Sequence, residues 1–299
     1  MGSMKNLYMI LISILATTLP ITSIAFAQTP YEKIKLMLKH SAEKNPKNAR
    51  VIVVGQSDSG DLIYGLEIGH GPTHNLVVAT HHGNEYGSTV VAGYFGDALA
   101  GDPIADQTVF VVPVLNISGY NGGNRRETLG ASTYDPNRDY PGPCGTEGPF
   151  KLKSTASLAK FIEANKIVAS STLHTFFPGV LYPWGISTQD TQTPYDNIFV
   201  QLGKAATIES GYLVGNSTKE LYPADGTFED YSFWKLGIWS MLFEMGNTHS
   251  PSNAQLQELI RFNLPGLRRM MMVAPKIRAE RHAFSGNCDV VRGLDKHNE

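Results

Sequence analysis

Five short apolar, β-branched runs punctuate this sequence, at 51–54, 76–79, 109–115, 167–173 and 240–243. Each is flanked by Gly, Asn or Pro, the pattern of strands buried on both faces rather than on one. Stretches of helical character separate them, near 31–44, 87–99, 155–164 and 195–210, and a longer one follows Ser250. This alternation predicts a single α/β domain with a mixed, largely parallel twisted sheet covered by helices on both faces. No repeat or linker divides it. Pro265 predicts that the last helical tract is kinked or split into two helices.

Composition narrows the class. With 299 residues and 42% hydrophobic side chains the chain can bury a substantial core. Its 25 Lys and Arg against 27 Asp and Glu leave a net charge of −2, which argues against a nucleic-acid partner, since that would require a basic stripe. Lys5, the apolar stretch 7–16 and Ala25-Phe26-Ala27 before Gln28 have the form of a signal peptide, behind a Met1-Gly2-Ser3 leader. Pro20, Thr22 and Ser23 interrupt the run and speak against a membrane anchor. The expectation is a mature chain of residues 28–299, secreted or periplasmic, without membrane contact after cleavage. Two cysteines, Cys144 and Cys288, suit one disulfide in an oxidising compartment. Closing so long a loop is worth about 4–5 kcal/mol in the chain-entropy model.

In open α/β sheets ligands bind beyond the carboxyl ends of strands. Directly after the run 76–79 comes Thr80-His81-His82-Gly83-Asn84-Glu85, and directly after 167–173 comes His174. His82, Glu85 and His174 form a two-imidazole, one-carboxylate set with room for water, the donor pattern of a catalytic zinc. Asn137 and Arg138 follow a later strand; a guanidinium with a neighbouring amide suits a free carboxylate. Glu244 ends the run 240–243, where a carboxylate can take a proton from an activated water.

These motifs occur in one order: His82-Gly-Asn-Glu85, Asn116-Ile-Ser-Gly119-Tyr120, Asp135-Pro-Asn137-Arg138, Leu173-His174 with Leu181-Tyr182-Pro183, and Phe243-Glu244. The order resembles the zinc carboxypeptidases typified by carboxypeptidases A and B, over roughly residues 50 to 275. The resemblance implies a catalytic domain over 28–299 in a bacterial member, with one zinc per chain held by His82, Glu85 and His174. It implies that Asp135 orients His82, that Asn137 and Arg138 hold the substrate's terminal carboxylate, and that Glu244 is the general base. The register from Tyr222 to Glu244 places Tyr222 at the mobile tyrosine that closes over substrate. It places Glu229 at the floor of the terminal-residue pocket, where an acid favours Lys or Arg; a slip of one residue would put Phe228 or Asp230 there. Arg125 and Arg126 both qualify as the carbonyl-polarising arginine, with Arg125 favoured by its offset from the Gly-Tyr turn. The implied partner is a peptide with a free C-terminus, met by a monomer.

Departures from the family are Asn84, where arginine is common, and Phe176, where tyrosine is common. Glu163 and the pairs Asp58/Asp61 and Asp102/Asp106 read as solvated charges. Three other readings compete. One is a murein peptidase acting on diaminopimelate-containing cell-wall peptides. Another is an N-acyl amino acid deacylase of the aspartoacylase branch, which the signal segment disfavours. A silent zinc or peptide-binding module would lack the base, and Glu244 is present. A serine hydrolase is disfavoured because Gly55-Gln56-Ser57-Asp58-Ser59 lacks the final glycine of the nucleophile elbow.

Overall fold

The computed structural model describes residues 28–145, 149–186 and 192–281, with Phe284 and Cys288; the signal-like segment 1–27 lies outside them. In chain order the elements are α1 (Pro30–Lys44), β1 (Ala49–Gln56), β2 (Leu62–Gly69), β3 (Thr73–Ala79), α2 (Tyr86–Gly101), β4 (Gln107–Val112) and α3 (Ile117–Gly122). There follow β5 (Glu127–Leu129), β6 (Ser132–Tyr134), α4 (Lys153–Ala164), β7 (Ala169–His174), β8 (Gly179–Tyr182), α5 (Asp196–Ala206) and β9 (Leu213–Asn216). The last are α6 (Ser217–Glu220), α7 (Phe228–Leu236), β10 (Trp239–Glu244) and α8 (Asn253–Val273).

Eight strands form one sheet in the order β1-β2-β4-β3-β7-β10-β8-β9, and β5 pairs with β6 apart from it. The centre, β4-β3-β7-β10, is parallel throughout. Antiparallel pairings join β1 to β2, β2 to β4 and β8 to β10. The chain is thus a single α/β domain with a mixed sheet between helices.

Strand β3 shows why the central runs lack polar alternation. Val77 and Ala79 enter one core, with Val91 and Phe95 of α2, Phe199 of α5 and Leu267 of α8. Leu76 and Val78 enter the other, with Leu158 and Ile162 of α4 and Phe228 and Tyr231 of α7. These four β3 side chains are fully buried, and Leu76, Val77 and Val78 each contribute roughly 1.5–3 kcal/mol.

The last helical tract is not divided. α8 is one helix with Pro265 inside it, opened by a capping box between Ser252 and Gln255. Proline removes one helical N–H, but Leu259 before it and Gly266, Leu267, Met270 and Met271 after it are all buried, and this packing keeps both halves in one continuous helix. Asp58 also differs from its reading as a free charge: its carboxylate accepts the Lys153 amide at 2.7 Å at the start of α4. Among the described residues no helix is long and apolar enough to cross a membrane.

Candidate metal centre and active site

The carboxyl ends of three adjacent parallel strands, β3, β7 and β10, deliver the key side chains. His174 is the last residue of β7, and the register sets Glu244, the last of β10, beside it. After β3 the chain turns sharply at Thr80, whose φ of 61° is left-handed and costs an L-residue free energy. The Thr80 hydroxyl offsets it by donating to Pro113 O at 2.8 Å. The turn then passes Gly83, where a Cβ would lie 2.0 Å from Gly119 C and 2.3 Å from Tyr120 N, so the backbone can lie against α3 only without a side chain. Asn116 holds this corner together: its Oδ1 accepts the Gly119 amide at 2.8 Å, and its Nδ2 donates to His81 O and Arg125 O, both at 3.1 Å.

His82, Glu85 and His174 converge, each buried, with one ligand atom apiece within 4.8 Å of the others. His82 Nε2 faces Asp135 Oδ1 at 3.0 Å, and an ionised carboxylate only accepts, so that nitrogen carries the proton and the Nδ1 lone pair points inward. Around that lone pair lie Glu85 Oε1 at 2.7 Å and His174 Nδ1 at 3.2 Å. Glu85 Oε2 lies 3.0 Å from His174 Nδ1 and accepts the Thr175 amide at 3.1 Å. Two inward nitrogens and a carboxylate form a buried, electron-rich cluster that calls for a cation, and the N2O donor set fits zinc.

The charges around the cluster are polarised accordingly. Burial works to raise the Glu85 carboxyl pKa, but the imidazoles of His82 and His174 outweigh it and hold it well below the carboxylate range. Burial likewise opposes ionisation of Asp135, and His82 and Arg125 reverse it, keeping Asp135 charged. Arg125 forks onto Asp135 Oδ2, Nε at 3.1 Å and Nη2 at 2.9 Å, and its Nη1 comes within 3.1 Å of His82 Nδ1. Of the two candidate arginines, Arg125 therefore stands beside the cluster. Burial, with the negative charge of Glu85, pushes the Glu244 carboxyl well above its ordinary value. Glu244 Oε2 is buried without a hydrogen-bond partner among the described residues.

Beside the cluster opens a narrow cavity, lined by His82, His174 and Glu244 and also by Asn137, Arg138, Tyr222 and Glu229. Asn137 is fixed by accepting the Phe228 amide on Oδ1 at 2.9 Å. Arg138 donates to Asn137 O at 2.7 Å and to the Tyr222 hydroxyl at 3.3 Å, while the Tyr222 ring remains exposed. Glu229, in the first turn of α7, is buried and accepts the Thr172 hydroxyl. No salt bridge reaches Glu229 among the described residues. Its neighbours Phe228 and Asp230 do not line the cavity; Asp230 instead accepts the Gly185 amide. Cys144 and Cys288 are bonded to each other.

Some residues at this site have no signature in the sequence. Thr172, which bonds Glu229, and Gly185, Ser217 and Thr227 of the cavity wall are small residues from distant segments, and only the fold brings them together. His81 stacks on His174 at 5.6 Å and reaches the Tyr140 hydroxyl at 3.0 Å. Burial, reinforced by His174, lowers its pKa well below the usual imidazole value, so it backs the cluster as a neutral ring.

The family model for zinc carboxypeptidases matches residues 34–266, and the chain belongs to that family. Carboxypeptidase B of Rattus norvegicus is 25% identical over 264 residues, 73% of this chain and 63% of that protein. The chain thus spans somewhat under two thirds of that relative's length. Among solved structures, bovine thrombin-activatable fibrinolysis inhibitor in complex with tick carboxypeptidase inhibitor superposes with a TM-score of 0.75 at 17% identity, covering 82% of this chain and 97% of that one. The murein-tripeptide amidase of Escherichia coli O157 superposes with a TM-score of 0.54 at 17% identity, covering 75% of this chain and 92% of that one. At such identities the structural likeness speaks to the fold.

Proposed function

We propose that this chain is a zinc metallocarboxypeptidase of the A/B type that removes the C-terminal residue of peptides and prefers a basic one. The observation that carries the reading is the single cavity in which a guanidinium (Arg138), a buried carboxyl with no salt-bridge partner among the described residues (Glu229), the donor cluster and Glu244 all meet. Such a cavity addresses a terminal carboxylate, its side chain and the scissile bond together.

His82, Glu85 and His174 hold the metal, and Asp135 keeps His82 in the tautomer that offers Nδ1. Zinc, when bound there, supplies Lewis acidity for ionising water and polarising the carbonyl. Glu244 takes one proton from the attacking water as the C–O bond forms, then delivers it to the nitrogen as the C–N bond breaks. Arg125 offers guanidinium N–H groups to the oxyanion that develops. Asn137 and Arg138 fix the terminal carboxylate, Tyr222 closes beside them, and Glu229 pairs with a Lys or Arg side chain. We read residues 1–27 as a signal peptide and 28–299 as the mature catalytic domain, a monomer in the periplasm or secreted.

One feature favours a second substrate. Ser217 and Thr227 line the same cavity as Glu229, and polar side chains beside an acid suit a substrate side chain ending in both ammonium and carboxylate, as diaminopimelate does. The discriminating experiment uses peptides ending in Lys, Arg, Phe, Glu or diaminopimelate, with and without a chelator. Release of Lys and Arg ahead of the rest, abolished by the chelator, supports the main reading. Preference for diaminopimelate supports the second, and trimming of the Phe peptide alone removes Glu229 from its role.

A further inference from the structure

Beyond α8 the described residues 274–281, Phe284 and Cys288 belong to no helix or strand, and their contacts lead from the start of β10 towards the substrate cavity. Trp239 Nε1 donates to Ile277 O at 2.9 Å, at the start of β10. Arg278 donates from Nε to Ile167 O at 2.7 Å and from Nη2 to Ile162 O at 3.2 Å, satisfying carbonyls at the end of α4 and ahead of β7. The Ala279 amide bonds Gly237 O at 2.8 Å, and the Tyr195 hydroxyl reaches Glu280 O at 3.4 Å. Phe284 then packs edge-on against Trp184, with ring centroids 5.2 Å apart. Cys288 is bonded to Cys144, on the loop that follows Arg138.

Trp184 is fully buried, and among the described residues its ring also meets Phe233 of α7 edge-on at 5.3 Å. The backbone at Trp184 and Gly185 gathers three segments. Trp184 O accepts the Thr218 amide at 3.4 Å, Gly185 O accepts the Ala224 amide at 2.5 Å, and the Gly185 amide donates to Asp230 at 3.0 Å. Gly185, Ser217, Ala224 and Glu229 all line the cavity, so the backbone that carries the Trp184 ring runs directly into the cavity wall.

We propose that the C-terminal strap is a positioning element of the terminal-residue pocket, in which Phe284 seats Trp184 and the Cys144–Cys288 bond keeps Phe284 in place. The pocket's fit to a long side chain then depends on a segment that touches no substrate. This rests on the reading that the cavity receives the substrate's terminal side chain, and the test separates the two claims. Phe284→Ala, Phe284→Leu and Cys288→Ser are made in the intact chain and compared by hydrogen exchange and by kinetics on peptides ending in Lys and in Gly.

In Phe284→Ala and Cys288→Ser, exchange at the Gly185 and Ala224 amides quickens about tenfold or more while β3 is unchanged. KM for the Lys peptide rises roughly five- to tenfold with kcat within about twofold, and KM for the Gly peptide stays put. Phe284→Leu, which restores bulk, recovers most of both effects. Unaltered exchange at Gly185 and Ala224, or an equal KM rise for both peptides, overturns the strap's role. A wild-type protein that treats Lys and Gly peptides alike overturns the pocket reading instead, and the exchange measurement still decides whether the strap positions Trp184.

Discussion

His82 and His174 meet Nδ1 to Nδ1 at 3.2 Å, with the Glu85 carboxylate against both rings. Two imidazole lone pairs at that separation repel unless a proton or a metal lies between them. Removing the metal with a chelator should therefore abolish turnover and lower Tm, and one equivalent of zinc should restore both. A ligand held at a thousandfold over its Kd adds about 4 kcal/mol to the folded state. Thermal melts and metal analysis check this; a chelated protein that melts and turns over like the untreated one would contradict it.

Glu244→Gln keeps the shape of the side chain and removes its ability to take a proton. Turnover should fall roughly 10²- to 10⁴-fold with zinc content unchanged. Steady-state kinetics beside metal analysis decides the matter, and a variant retaining near wild-type kcat would remove Glu244 from the base role.

Asp135 binds His82 on one oxygen and Arg125 on the other. Asp135→Ala should weaken zinc roughly 10- to 100-fold by freeing the His82 ring. Competition with a chromogenic chelator measures the affinity; an unchanged value would mean that packing alone orients the ring.

Glu229→Gln should raise KM for Lys- and Arg-terminated peptides roughly 10- to 100-fold, equivalent to about 1.5–3 kcal/mol for a charge-assisted hydrogen bond. KM for a Phe-terminated peptide should not rise. An equal loss on all peptides would point to a structural defect.

Glu127 is buried away from the metal cluster, held by the Ser154 hydroxyl and the Asp58 amide. Burial pushes its carboxyl up to about 7 from 4.5 despite those donors. Because the folded value is the higher one, the folded state binds the proton more tightly. The contribution is complete below about pH 4.5 and lost as pH rises through about 7, with a ceiling of about 3 kcal/mol. Glu127→Gln should flatten this loss between pH 5 and pH 8 in urea melts, whereas an unchanged slope would assign the dependence to other groups.

The sequence marks β3, β4, β7 and β10, sandwiched between helix layers, because burial on both faces writes a continuous apolar run; the run 51–54 also marks β1, but that strand lies at the sheet edge with Val51 and Val53 exposed rather than buried on both faces. β8 and β9, four residues each, are too short to carry a period, and glycine interrupts β2. α7 escaped because Glu229 and Asp230 are buried with Phe228 and Tyr231, which leaves no polar face to mark a helix. The donors of the metal cluster were legible because each imidazole stands just past a readable run. The cavity wall was not: Gly185, on the loop after β8, and Ser217, at the start of α6, reach it by a course that depends on the completed sheet. Pro265 does not divide α8, because a helix clamped along its length tolerates one missing hydrogen bond.

Gly83 has a consequence for anyone randomising this site. A library at that position, screened for folding alone with no reference to catalysis, should return only glycine, because even a methyl group would drive the first turn of α3 off the strand end. The small residue between the histidine and the glutamate is there for clearance, and the spelling of the motif is as much a matter of elbow room as of coordination chemistry.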